Sequence, residues 1–244
     1  MCTSAKNRDM SDHQPKIHKT PNPPRRCIFC GGAPISREHI YAHWMRPYVA
    51  PVMNTTHLVT SRIRNVLTGT NAVSRYDSGP LAQKGDHRSR TLRVVCIACN
   101  SGWMSTPQKK AQQILVRLLE SGCPRVLQRE AQSVIASWAT MFTMVYEFAD
   151  KPTIAISQAQ REFFKAHQTT PVNWMIWVST FSGTMHSLRT HHRGITGGRW
   201  CSDGNTIELD GNCETQITSG VAGKFVFLTF HAADDALSMP APLL

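Results

Sequence analysis

The sequence predicts an α+β fold in three parts: a small cysteine-stapled module near the N-terminus, a helical segment, and an antiparallel sheet. Three observations predict it. Two Cys-x-x-Cys pairs, Cys27/Cys30 and Cys96/Cys99, lie far apart in the chain but share one spacing. Apolar residues then recur with a helical period from Ala111 and again from Val134. From Trp174 onward, β-branched and aromatic runs are bounded by Gly and Asp-Gly turns. The 244 residues, 41% of them apolar, suffice for one compact domain or two small ones sharing a boundary. The expected division is a flexible basic tail over 1–22, the cysteine-stapled module over 23–106, and an α+β part over 107–244.

A mean hydropathy of −0.28 and the lack of an apolar run near 18 residues exclude a transmembrane helix. The first twenty residues carry no hydrophobic stretch after their basic ones, so no secretory signal is expected and a cytoplasmic location follows. Net charge is +11, unevenly spread: residues 1–100 hold 15 of the 27 Lys and Arg and 5 of the 16 Asp and Glu, leaving the remainder near neutral. Such a basic segment suits a polyanion, because Lys and Arg displace its condensed counterions. A merely solvated basic surface fits the charge equally well.

Eight cysteines in a chain without a secretion signal argue against disulfides. A spacing of two lets a tight turn offer both sulfurs to one tetrahedral Zn²⁺, and two such knuckles supply a full set of four ligands: Cys27, Cys30, Cys96 and Cys99. Gly31-Gly32 follows the first knuckle, where the chain must turn sharply. Cys2, Cys123, Cys201 and Cys213 are scattered singly and are read as ordinary thiols.

Between the knuckles lies Ser36-Arg37-Glu38-His39-Ile40-Tyr41-Ala42-His43-Trp44, and directly after the second comes Asn100-Ser101-Gly102-Trp103. Glu38-His39-Ile40 between zinc knuckles, with Cys96-x-x-Cys99-Asn100 following, resembles the HNH endonuclease family in its cysteine-rich bacterial and phage branch, over roughly residues 25–106. The resemblance implies a ββα-metal finger: a strand carries the acidic–His pair, a hairpin partner returns, and a helix brings the last motif residue opposite. It also implies roles, with His39 as general base and with Glu38 and Asn100 as the acidic and last motif residues. The family pattern is broken at Thr91, where its middle Asn usually stands, and at Ala42, where a proline commonly follows the His.

The residue types suit phosphodiester hydrolysis, which needs an activated water, an electrophile on the phosphate, and help for the departing 3′ oxygen. An imidazole with an ordinary pKa of about 6.5 can accept a proton from water near neutrality. A hard cation such as Mg²⁺ or Mn²⁺ wants oxygen ligands, which the Glu38 carboxylate and the Asn100 amide oxygen can supply.

The long segment 54–90, with Gly69, Gly79-Pro80 and Gly85, reads as an extended loop. Its Arg62, Arg64, Arg75, Lys84, Arg88 and Arg90, together with Arg37, either track phosphates or coat a solvated insertion. His43 is read as facing DNA or simply exposed, and Trp44 and Trp103 as core aromatics over the metal finger. His186, His191 and His192 lack acidic neighbours and are read as exposed strand or loop residues.

In the C-terminal part Pro107 opens a helix with Ala111, Ile114, Leu115, Leu118 and Leu119 on one face, ending near Gly122. A second helix over 129–149 has an apolar face wide enough for a central position, and a short third one is expected near 157–168. Strands are expected at 174–178, 184–190, 215–221 and 225–230. This part would serve target contacts, a protein partner or a homodimer. Three functions emerge: a metal-dependent nuclease on double-stranded DNA with RNA left open, a zinc-finger DNA-binding module that does not cut, and a zinc-organised protein-interaction domain.

Overall fold

The computed structural model describes residues 26–51, 59–68, 71–80, 86–121, 126–183, 188–196, 198–200, 207–209 and 213–233. The architecture is α+β. The tail expected over 1–22 lies outside the described residues.

The N-terminal portion is held together by short antiparallel pairings. Strand β1 (Glu38–His39) pairs with β4 (Thr91–Leu92), with Glu38 opposite Leu92 and His39 opposite Thr91. Helix α1 (Ile97–Ser101) follows, capped by Cys96, whose sulfur accepts from the Cys99 N–H. Between the paired strands the chain forms β2 (Val59–Thr68) and β3 (Asn71–Pro80), an antiparallel hairpin that corrects the expected extended loop. The physical reason is legible afterwards. Register sets the β-formers Ile63 against Tyr76 and Val66 against Val73, a pairing that outweighs the glycines taken as loop signals.

Helix α2 (Ser105–Ser121) starts two residues ahead of Pro107, which sits in the first turn where its missing N–H costs nothing. It buries Pro107, Ala111, Leu115 and Leu119, the i, i+4 stripe, while Ile114 and Leu118 are half-buried beside it. Helix α3 (Arg129–Tyr146) is buried on all sides over its second half, Ser137 to Tyr146, and a 3-10 turn, Glu147–Ala149, continues it. Helix α4 (Gln158–His167) is capped by the Ser157 hydroxyl, which accepts from the Gln160 N–H, and ends on Gln168 in the left-handed region.

The sheet runs in the order β5 (Trp174–Thr180), β10 (Phe225–Ala232), β9 (Thr215–Ala222), β6 (Arg189–Ile195), all antiparallel. A separate pairing joins β7 (Gly198–Trp200) and β8 (Ile207–Leu209). β6 lies later than the strand expected at 184–190, and residues 184–187 fall outside the described set. The shift has a cause: Thr190 to Ile195 form a polar strand with two histidines that pairs with the inner row of β9, Gln216, Thr218 and Gly220, a pairing no hydrophobic alternation advertises. Gly223, at φ +56°, turns β9 into β10 with the Leu119 and Tyr48 carbonyls close by.

Two hydrophobic clusters fill the interior. One joins Ile40, Tyr41, Met45 and Val49 to α2, α3 and the inner face of β10; the other joins Cys27, Phe29, Val95, Cys96 and Cys99 to Met104, Met141, Met144 and Phe164. Each draws residues from both sides of position 106, so the segments 23–106 and 107–244 pack on common cores.

Candidate metal centre and the Glu38, His39, Asn100 group

The first knuckle is a tight turn in which the Cys27 N–H donates to the Gly32 carbonyl at 3.0 Å and the Gly31 N–H to the Cys27 carbonyl at 2.8 Å. Gly31 takes φ +67°, which a side chain resists. The second knuckle is brought alongside by an Ile35–Cys96 bridge and by the Ile97 N–H donating to Pro34 at 3.0 Å.

These turns gather the sulfurs of Cys27, Cys30, Cys96 and Cys99 within 4.8 Å of one another. Cys30 lies 3.5 Å from both Cys96 and Cys99. Zn–S bonds of about 2.3 Å in a tetrahedron separate sulfurs by about 3.8 Å, so the cluster has the right size, and four thiolates form a donor set selective for soft metals. The cluster is compatible with structural zinc. Without an ion the thiols differ. Burial pushes Cys27 up and Cys99 up to about 12. At Cys30 burial acts in the same direction, but the Gly32 N–H and the neighbouring thiols outweigh it and lower the thiol to about 7.

Next to this centre, β1 carries Glu38 and His39, both half-buried. The Asn100 side-chain N–H donates to the Ser36 hydroxyl at 3.0 Å, and that hydroxyl donates to the Val95 carbonyl at 3.0 Å. Burial raises the Glu38 carboxyl to about 7, with the Asn100 amide working in the opposite direction. His39 is shifted the other way: burial, then its neighbours Arg46 and His43, lower its pKa and favour the neutral ring. The structure therefore brings Glu38 and Asn100 together from β1 and α1, with His39 adjacent on the strand.

The basic residues are placed differently from one another. Arg37 is exposed. Arg62 and Arg64 lie on β2, opposite Asp77 and Arg75. Arg88 is turned to internal contacts, with an ion pair to Asp86 at 2.8 Å and an N–H donated to the Val49 carbonyl. Arg90 lies over the Tyr146 ring, 5.8 Å from its centroid. Lys84 falls outside the described residues.

His43 is exposed and Trp44 half-buried against the first cluster. Trp103 packs edge-on to Phe29 and Phe164. His191 is exposed, but His192 corrects the expectation of an exposed residue: its ring contacts the Thr218 hydroxyl at 2.6 Å and the Thr153 carbonyl at 3.1 Å, and burial lowers its pKa to about 4. His186, Cys2, Cys123 and Cys201 lie outside the described residues. Sequence reasoning missed Ser36 and Arg46; the only available signals were Ser36 three residues ahead of His39 and Arg46 three after His43.

None of the described helices is long and apolar enough to cross a membrane. Compared with protein-family models, with curated proteins and with solved structures, the chain matches none of them.

Proposed function

We propose that the chain is an HNH-type endonuclease, with residues 25–106 as a ββα-metal finger that hydrolyses phosphodiester bonds in double-stranded DNA. The observation that carries this reading is the meeting of Glu38 and Asn100 from a strand and a helix stapled by one cysteine cluster, with a neutral His39 beside them. The basic N-terminal portion supports a polyanionic substrate.

Each residue has a task that its environment suits. His39, neutral at pH 7, accepts the proton of the attacking water through a ring nitrogen. The water oxygen bonds to phosphorus, and the 3′ oxygen leaves with the electron pair of the broken P–O bond. The Glu38 carboxylate and the Asn100 amide oxygen would hold a divalent cation, the amide nitrogen being turned to Ser36. Bound there, Mg²⁺ or Mn²⁺ supplies Lewis acidity to the phosphate and to the leaving oxygen. Glu38, raised to about 7 by burial, gives up its proton as a cation binds, so metal dependence and pH dependence are linked.

A second reading, a zinc-finger module that binds DNA without cutting, is favoured by one feature: Thr91 stands opposite His39, and among the described residues no hydrogen bond fixes the His39 ring. The test is incubation of wild type and His39→Ala, at matched zinc content, with supercoiled plasmid in Mg²⁺, Mn²⁺ or EDTA. Metal-dependent nicking that vanishes in the variant supports the nuclease. Salt-sensitive binding by both proteins, with no cutting in any metal, replaces it with the binding module.

A further inference from the structure

Three residues, 40–42, separate β1 from the 3-10 helix His43–Tyr48. With three residues per turn, positions i and i+3 stack one above the other, so His43 and Arg46 share a face. The Ile40 N–H donates to the Arg90 carbonyl at 3.0 Å, so the end of β1 lies against the same stretch of chain, 88–90, that Arg46 contacts. Arg46 is half-buried, and its Nε donates to the Arg88 carbonyl at 3.3 Å.

That anchor is itself fixed. The Arg88 backbone N–H donates to Asp86 at 2.9 Å, and its guanidinium holds the same carboxylate through Nε and an ion pair at 2.8 Å. Asp86 is thereby engaged with Arg88, and among the described residues no carboxylate lies within ion-pair distance of Arg46. A half-buried guanidinium has lost part of its hydration and here gains one neutral carbonyl and the more distant charge of Asp86 in return. An oxyanion restores what is missing, and the fork of two Nη groups matches the paired oxygens of a phosphate.

We propose that Arg46, with His43 above it on the 3-10 helix, grips the non-bridging oxygens of the phosphodiester beside His39. The identity of the anion as a scissile phosphate rests on the nuclease reading, whereas the anion site itself does not. Arg46 then fixes the phosphorus relative to the water on His39, and its charge counts most as negative charge builds on the phosphate oxygens.

The test uses the full, zinc-loaded chain as wild type, Arg46→Met and Arg46→Lys, with inorganic phosphate and supercoiled plasmid as probes. Phosphate binding is read from the imidazole NMR signals of His39 and His43, assigned through their alanine variants. Cleavage is read in single turnover at saturating enzyme. Phosphate is expected to shift both signals saturably in wild type and to leave them unmoved in Arg46→Met. The Arg46→Met cleavage rate is expected to fall by about 100-fold, with plasmid affinity nearly unchanged because many other phosphates remain in contact. Arg46→Lys keeps the charge without the fork, so it recovers part of the phosphate shift but not the rate. An unchanged phosphate response in Arg46→Met, or a cleavage rate in Arg46→Lys within about twofold of wild type, overturns the proposal. If wild type fails to cut in any metal while the Arg46-dependent phosphate shift persists, the nuclease reading falls and the anion site stands.

Discussion

Asn100 and Ser36 are joined by a side-chain hydrogen bond of 3.0 Å across 64 positions of sequence. The bond fastens α1 to the segment entering β1, because Ser36 also donates to Val95. Asn100 favours the Glu38 carboxylate as well, so its removal acts twice. Asn100→Ala is expected to cost about 1 kcal/mol of stability and to leave the effect of burial on Glu38 unopposed. Plasmid nicking should fall by about 100-fold with zinc content unchanged. Melting curves, metal analysis and a nicking time course check all three, and an undiminished nicking rate would remove Asn100 from the cation-holding set.

The four cysteines predict a proton-coupled metal site. In the absence of metal, burial keeps Cys27 and Cys99 protonated at neutral pH, while Cys30 is lowered to about 7. Metal binding therefore displaces protons from both Cys27 and Cys99, and zinc affinity should fall by about 100-fold or more per unit drop in pH. Calorimetric zinc titrations in buffers of different ionisation enthalpy measure the protons released. Cys99→Ser should lose zinc and lower the melting temperature, because Cys99 lies in a core with Phe29, Val95 and Phe164.

The helices were legible because their apolar spacing is strong: Ala111, Leu115 and Leu119 form the buried stripe that the sequence predicts. The cysteine cluster was legible because ligand spacing leaves few alternatives, and the four sulfurs do converge. The 59–80 hairpin was not, since its glycines resemble loop punctuation and its strands lack a clean alternation. His192 was not legible either. It is half-buried, and what holds its ring is the hydroxyl of Thr218 and the carbonyl of Thr153, groups brought to it by tertiary structure. The same holds for Glu147 and Arg161, two charges that join only once α4 returns to the end of α3.

His192 predicts an acid-side loss of stability. Burial lowers its folded pKa to about 4, below an unfolded value of about 6.5. Between these values the unfolded chain holds the extra proton, so stability rises with pH across the window and is lost as pH falls through it. Subtracting the curve of His192→Gln from that of wild type isolates this group from the other shifted residues. The difference should change by about 3 kcal/mol between pH 4 and 6.5. A flat difference would show that the ring titrates as an exposed histidine.

Glu147 and Arg161 form a buried ion pair at the junction of α3 and α4. The Glu147 carboxylate also accepts the N–H groups of Ala155 and Ile156 at 3.0 and 3.2 Å, while Arg161 lies 4.9 Å from the Phe148 ring centroid. Burial raises the Glu147 carboxyl to about 7, against the pull of Arg161 and the two backbone donors. Removing one partner leaves the other in the interior without compensation, so Glu147→Gln should cost about 3 kcal/mol. Replacing both, as Glu147→Gln with Arg161→Met, removes the stranded charge and should recover more than half of that loss. A double-mutant cycle from denaturant unfolding measures the coupling. Additive single and double effects would show that the two charges do not depend on each other, and that the backbone bonds to Ala155 and Ile156 alone hold the turn between α3 and α4.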